Sequence, residues 1–169
     1  MRIALPRGKW LLLVGLFFAL VLWRAVPEPG RPSEPPSEIS TGIVRGGVRY
    51  LSLQAREFSL SPREFQVEVG DRLRLTVSNR GVQTHRLAVE QLVANDVRLL
   101  ELPGAVWDEY LSSLSGQAER GIPEVLVTPG DWSIVEFTVS NPGTFRIACQ
   151  LPDHADGGMV TQLVVGTVA

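Results

Sequence analysis

The side chains best suited to metal chemistry lie in one short segment near the end of the chain. Cys149 is followed after four residues by His154, and His154 is followed after four more by Met159. The 169 residues include one cysteine and two histidines, the other being His85, and the only methionine besides the first residue is Met159. Each donor alone has an ordinary structural explanation. Their joint spacing favours a metal site.

Strand periodicity predicts that these donors meet. Cys149 has the parity of Ile147, so its sulfur is expected to face the core at the end of a strand. His85 shares the parity of Leu87 and is expected to point inward as well. The loop after the cysteine contains one proline and two glycines. Such a loop can fold back and present its histidine and its methionine to the sulfur.

The chemistry of this donor set is that of copper. A thiolate and two imidazoles with a weak thioether suit both Cu(I) and Cu(II), so the ion changes charge with little rearrangement. Zinc would leave Met159 without a role, because zinc does not use a thioether. We predict that one copper ion is bound by His85, Cys149, His154 and Met159.

Enzyme chemistry fits the sequence less well. A Cys–His nucleophile pair needs a substrate cleft and an orienting group, and Cys149 is predicted to face a core. A dinuclear copper centre needs a second cysteine. Multicopper oxidases and copper nitrite reductases need more than two histidines. We therefore expect the protein not to be an enzyme.

The elements that position the donors are predicted to be strands. From about residue 48, apolar residues alternate with polar ones between Gly, Pro and Asn turns. This pattern predicts an all-β fold, an antiparallel sandwich over residues 48–169. Between Glu90 and Gly121 this alternation is absent, and a short helix is predicted from about Val106 to Ser115. We interpret this stretch as an excursion between strands.

The chain begins with a segment typical of export. A 14-residue apolar run, Trp10–Trp23, follows a basic flank. It would span about 21 Å as a helix, less than the membrane core of about 30 Å, which favours a signal peptide. No small-residue cleavage site follows, which favours a retained anchor. Residues 1–26 are therefore interpreted as a signal peptide or signal anchor, and residues 27–47 as a Pro-rich linker.

Charge argues against nucleic acid as a partner. The formal net charge is −2, but residues 1–26 carry four basic residues and no acidic one. The remainder carries 12 basic and 18 acidic residues, a net charge of −6. Nucleic-acid binding needs a basic face, whereas this balance suits a partner with a positive patch.

Residues 48–169 resemble the cupredoxins, the type 1 blue copper proteins. The Cys-x4-His-x4-Met spacing is most similar to that of the rusticyanin, sulfocyanin and auracyanin group. Further similar stretches are Arg56–Pro62, Val69–Asp71, Asn79 ahead of His85, and Asn141–Phe145 leading into Cys149. The resemblance implies a Greek-key β-sandwich with the first histidine on a strand and the other donors on the final loop. It also implies imidazole nitrogen donors, a cysteine thiolate and Met159 as the axial ligand.

Two positions depart from this resemblance. Relatives often place Asn, Ser or Thr directly after the first histidine, where the side chain braces the cysteine loop, and this chain has Arg86. Many relatives have Gly before the second histidine, where this chain has Asp153. Together with Asp156, that residue makes the rim of the site acidic.

The resemblance implies electron transfer. The basic flank of the N-terminal segment predicts that the rest of the chain lies outside the cytoplasm, in the periplasm or on the outer face of the cell membrane. We expect the electron to pass through His154 to or from a c-type cytochrome or a terminal oxidase. The N-terminal segment would hold the protein to the membrane if it is not cleaved. The alternative functions are copper storage, delivery or resistance, and a structural module whose site stays empty.

Overall fold

The computed structural model describes residues 39–104 and 108–167. The predicted signal peptide or anchor, most of the predicted linker, and Val106 at the start of the predicted helix lie outside these ranges. Within them, no helix has both the length and the apolar character needed to cross a membrane.

The described residues form two β-sheets and one helix. The strands are β1 (Ile39–Ser40), β2 (Ile43–Arg45), β3 (Val48–Arg56), β4 (Ser59–Ser61), β5 (Glu64–Glu68), β6 (Arg72–Asn79), β7 (His85–Glu90), β8 (Asn95–Glu101), β9 (Glu124–Val127), β10 (Trp132–Thr138), β11 (Gly143–Cys149) and β12 (Val160–Gly166), and helix α1 (Asp108–Glu119) lies between β8 and β9. One sheet has the order β1-β5-β12-β11-β7-β9. The other has the order β2-β3-β6-β10-β8, with β4 paired to β3. The predicted β-sandwich with a short helix is confirmed.

The core lies between the two sheets. Strand β6 illustrates the pattern, since Leu73, Leu75 and Val77 are buried while the residues between them are at least partly exposed. These side chains belong to one apolar cluster with residues of the opposite sheet, including Phe65 and Leu163. Burying a side chain of this size stabilises the fold by about 1.5 to 3 kcal/mol. The period-two pattern therefore identifies the inner face of each sheet.

The pairing of the strands differs from the antiparallel sandwich that the sequence predicted. Strand β3 runs parallel to β6, and β5 runs parallel to both β12 and β1. The remaining pairs described are antiparallel. Alternation of side chains is the same in both kinds of pair, so a residue pattern cannot distinguish them.

Three strands occupy stretches that showed no strand signal. Strands β1 and β2 lie within residues 27–47, the predicted linker, and pair with β5 and β3. Strand β8 lies in the stretch predicted to be irregular and pairs with β10. All three are edge strands or lie near the edge, and few of their side chains are buried. Helix α1 extends four residues beyond the predicted Ser115 and buries Leu114.

Candidate metal centre

Two neighbouring strands bring His85 and Cys149 to the same end of the sandwich. His85 is the first residue of β7 and Cys149 is the last residue of β11, and these strands pair antiparallel with Cys149 opposite Leu87. Both side chains are buried, as are Leu87 and Ile147, whose parity they share. The predicted inward direction of both donors is confirmed.

The loop after β11 folds back on itself through main-chain hydrogen bonds. The N–H of Met159 donates to the carbonyl of His154 at 3.0 Å, and the N–H of Cys149 donates to the carbonyl of Met159 at 3.2 Å. A side chain on Gly157 would place its first carbon 2.9 Å from the ring of Phe58, so only glycine fits there without displacement. The loop is therefore closed by its own backbone and packed against the β3–β4 turn.

Three donor atoms form one compact cluster. The Sγ of Cys149 lies 3.6 Å from Nδ1 of His154 and 3.9 Å from Nδ1 of His85. The ligand atoms of the three residues all lie within 4.8 Å of one another. A trigonal ion with donor bonds of about 2.0 to 2.3 Å holds its donors roughly 3.5 to 4 Å apart. The observed spacing and the thiolate–imidazole chemistry fit a single copper ion.

All four predicted donors are buried. The exposed fraction is 0% for His85, 2% for Cys149, 7% for His154 and 0% for Met159. Met159 belongs to the same apolar cluster as Cys149 and lies beside it through the main-chain hydrogen bond. An ion held here would be screened from bulk water.

The distal nitrogen of His85 has an unusual environment. Its Nε2 is buried and makes no hydrogen bond, although Oε1 of Glu57 lies 3.5 Å away. Burial lowers the pKa of His85, and the nearby carboxylate only partly opposes this. The backbone N–H of Gln83 is the main cause of a lowered pKa at Glu57. These directions favour a neutral imidazole, the form that binds a metal, next to an ionised carboxylate.

The β3–β4 turn also reaches the second histidine. Phe58 meets the ring of His154 edge-on, with centroids 5.2 Å apart and an interplanar angle of 73°. Neither Glu57 nor Phe58 was singled out from the sequence as a site residue. The stretch that contains them resembles a cupredoxin segment, but contacts between residues so far apart in the chain leave no periodic signal.

Asn79 fixes the segment that leads into His85. It is fully buried, and its side-chain amide donates to the carbonyl oxygens of Gln83 at 2.6 Å and Val127 at 3.2 Å. Its side-chain oxygen accepts the N–H of Gly81 at 2.8 Å. Asn79 therefore joins three segments around the first histidine.

Part of the chain matches a known protein family. A family model described as multicopper oxidase matches residues 122–168, the part of the chain that contains β9 to β12. No curated protein matches the sequence. The McoA multicopper oxidase of the hyperthermophile Aquifex aeolicus superposes with a TM-score of 0.56 at 16% identity, over 75% of this chain and 31% of the oxidase.

Auracyanins are also similar in structure. Auracyanin B superposes with a TM-score of 0.50 at 14% identity, over 75% of this chain and 95% of its own. Auracyanin A, described as a blue copper protein from Chloroflexus aurantiacus, gives a TM-score of 0.48 at 17% identity, over 71% and 100%. The chain has the cupredoxin fold. The cupredoxin sandwich predicted from the sequence is thereby confirmed.

Main chain braces the cysteine loop at the position where the cupredoxin resemblance implied a bracing side chain. The carbonyl of Arg86 accepts the N–H of Gln150 at 2.7 Å. The guanidinium of Arg86 is engaged elsewhere, in an ion pair with the buried Glu124. The substitution at this position therefore does not leave the loop unsupported.

The backbone conformation explains the second departure from the resemblance, which is Asp153 in place of glycine. Asp153 has a φ of 64°, in the left-handed region that favours glycine. Aspartate tolerates this region better than most residues. The position therefore carries an exposed carboxylate next to His154 without requiring a different loop shape.

Proposed function

We propose that this protein is an electron carrier that holds one copper ion between His85, Cys149, His154 and Met159 and works outside the cytoplasm. The observation that supports this most strongly is the buried cluster of one thiol sulfur and two imidazole nitrogens 3.6 and 3.9 Å from it. When bound, copper would supply a one-electron couple between Cu(II) and Cu(I).

The protein's own contribution is to hold the donors still. Two come from the ends of paired strands, and two come from a loop that is closed by main-chain hydrogen bonds. A donor set fixed by the fold changes little when the charge of the ion changes. Small rearrangement favours fast electron transfer, which is the reason for preferring this function.

The proposed route for the electron is through the edge of His154. This histidine is the most exposed of the four donors, and Phe58, which is 46% exposed, covers part of its ring. Asp153 and Asp156 are exposed on the same loop. We propose that this acidic rim attracts a basic redox protein, such as a c-type cytochrome or a terminal oxidase, by a small and transient interface.

Copper storage or delivery is the alternative predicted from the sequence. Such a protein must release its ion readily, so its donors need access to solvent or to a partner's ligands. Three of the four donors here have an exposed fraction of 2% or less. That burial favours retention of the ion and therefore the electron-transfer proposal.

The test is to add Cu(II) to the full-length protein and record its visible spectrum. We expect an intense sulfur-to-copper band that bleaches with a mild one-electron donor and returns on oxidation. The Zn(II)-loaded protein is the control, since zinc has no redox chemistry in this range. A colourless copper-loaded protein, or a copper ion that a chelator removes within seconds, would refute the proposal.

A further inference from the structure

A buried nitrogen without a hydrogen bond is rare in a folded protein and calls for an explanation. His85 is fully buried, and its Nε2 lacks a hydrogen-bond partner among the described residues. The nearest charged group described is Oε1 of Glu57, at 3.5 Å. The other ring nitrogen, Nδ1, faces the sulfur of Cys149.

We propose that Glu57 is a positioning residue for the copper site, which holds His85 with Nδ1 free for the metal and favours Cu(II) over Cu(I). This inference rests on the copper site proposed above. A neutral imidazole carries one N–H and one lone pair, and the position of a hydrogen-bond acceptor decides which nitrogen carries the hydrogen. A carboxylate facing Nε2 selects the form whose Nδ1 lone pair points at the donor cluster.

The carboxylate of Glu57 is itself held in place. Its Oε1 accepts the backbone N–H of Val82 at 2.8 Å and that of Gln83 at 2.7 Å. Both residues lie in the segment between β6 and β7 that leads into His85. The same oxygen therefore contacts the histidine and the main chain two and three residues before it.

Gly81 gives a second, independent indication, because the carboxylate of Glu57 occupies the space where its side chain would be. A side chain at this position would place its first carbon 2.3 to 2.6 Å from the carboxylate atoms of Glu57. Any larger residue would displace Glu57 from its present position. The absence of a side chain at Gly81 thus leaves room for the carboxylate beside the histidine ring.

Charge explains the expected effect on the metal. A carboxylate that faces the distal N–H makes the imidazole a stronger donor, which benefits the more highly charged ion. At 3.5 Å, Oε1 of Glu57 is placed on the side of the ring that carries Nε2.

The first test compares Glu57→Gln with Asp156→Asn in the full-length protein. Glutamine keeps an oxygen that can accept from Val82 and Gln83 but removes the charge. We expect Glu57→Gln to lower the ratio of Cu(II) to Cu(I) affinity about tenfold, which raises the reduction potential by about 59 mV. Asp156→Asn removes the same charge from the neighbouring loop, and we expect less than a threefold change.

A second variant displaces Glu57 without changing its charge. Gly81→Ala should push the carboxylate away from His85 and raise the potential in the same direction as Glu57→Gln. Equal shifts in Glu57→Gln and Asp156→Asn would show that only general charge matters and would overturn the inference. An unchanged potential in both Glu57→Gln and Gly81→Ala would overturn it as well.

A measurement on the metal-free protein separates this inference from the copper proposal. Long-range ¹H–¹⁵N spectra report which ring nitrogen of His85 carries the hydrogen. We expect it on Nε2 in the wild type, with a clear shift of that nitrogen in Glu57→Gln. A hydrogen on Nδ1 would overturn the role of Glu57 even if copper binds. The expected result in a protein that never turns blue would refute the copper proposal alone.

Discussion

Two of the regions that bury polar side chains satisfy them in opposite ways. On the outer face of the second sheet, the carboxylate of Glu136 accepts hydrogen bonds from both guanidinium groups of Arg72 and Arg74. At the end of the sandwich, Cys149 and His154 meet in a sulfur–nitrogen contact, and His85 keeps one buried nitrogen without a hydrogen bond. In the first region the buried carboxylate has all its partners within the protein. In the second, the sulfur and nitrogen atoms are arranged so that they could bind an ion.

The pKa shifts of Glu136 and His85 also differ in their cause. Burial alone would raise the pKa of Glu136, but Arg74 and Arg72 more than offset it and hold the pKa below its usual value. At His85, burial dominates and lowers the pKa, which disfavours the charged form. Glu136 is therefore held as an ion by its partners, while His85 is held neutral. A neutral imidazole is ready to donate to a metal.

The largest expected effect comes from adding copper to the wild type and to a variant that lacks the sulfur of Cys149. Copper at a free concentration of 1,000 times its dissociation constant should stabilise the protein by at most about 4 kcal/mol. Cys149→Ser should lose this gain and the visible band together, because the thiolate is gone. Denaturant unfolding with and without copper measures the effect. An equal gain in the variant would show that copper binds elsewhere.

The Glu136 region should respond to mutation without any metal. Glu136→Gln should lower the free energy of unfolding by about 1 to 3 kcal/mol, because the ion pairs are lost. The cost should lie at the low end, since Arg72 and Arg74 are 48% and 33% exposed and can turn to water. The control is Glu101→Gln on the edge strand β8, expected within about 0.5 kcal/mol of wild type. A change in the visible band of Glu136→Gln would contradict the separation of the two regions.

The same region should show a defined pH dependence. A carboxyl group whose pKa is lowered by folding stabilises the protein above its unfolded-state pKa, and this contribution is lost as the pH falls through the folded value. The difference in stability between wild type and Glu136→Gln should therefore be constant at neutral pH and shrink below the ordinary value of 4.5. Unfolding curves at several pH values test this, and a difference that grows in acid would contradict it.

A smaller effect is expected at the axial position of the proposed site. Met159→Leu is close to a volume-conserving change in a buried position, so it should cost less than about 1.5 kcal/mol. The variant should still bind copper, because three donors remain, but its reduction potential should rise. Loss of a thioether donor penalises the more highly charged ion most. Voltammetry of the blue protein gives the answer, and complete loss of copper would show that Met159 is essential for binding.

The smallest effect should come from the acidic rim. If Asp153 and Asp156 steer a basic redox partner, the rate of electron transfer to a basic c-type cytochrome should fall several-fold as ionic strength rises. The double variant Asp153→Asn, Asp156→Asn should flatten this dependence without changing the visible band. A salt profile that is flat in the wild type would reject steering by these carboxylates.

The parts of the site that could be predicted are those encoded locally. Period-two alternation identified the inward direction of His85 and Cys149, and both are buried. The spacing in the final loop predicted that His154 would return to the sulfur, and their side chains are 3.6 Å apart. Glu57 was missed because its contact with His85 joins residues that no local pattern relates.

The parts of the fold that escaped prediction share one physical cause. Strands β1, β2 and β8 pair with a neighbour through the main chain, and none of their residues is fully buried. In β8, Val97 and Leu99 pack partly against the core, but their alternation with polar residues is too short to predict a strand. Parallel pairing of β3 with β6 is equally invisible, because it depends on the path of the chain between them.

The four proposed copper donors are unevenly spaced along the chain. Cys149, His154 and Met159 fall within eleven residues, while His85 stands 64 residues before the cysteine. In the copper site proposed above, an unfolded chain would present three of the four donors within one short segment, and that segment could bind copper before folding. Metal held by the unfolded chain subtracts from the stability that the metal gives to the native one. In the proposed site, His85 would therefore be the donor that only the folded chain brings to the other three.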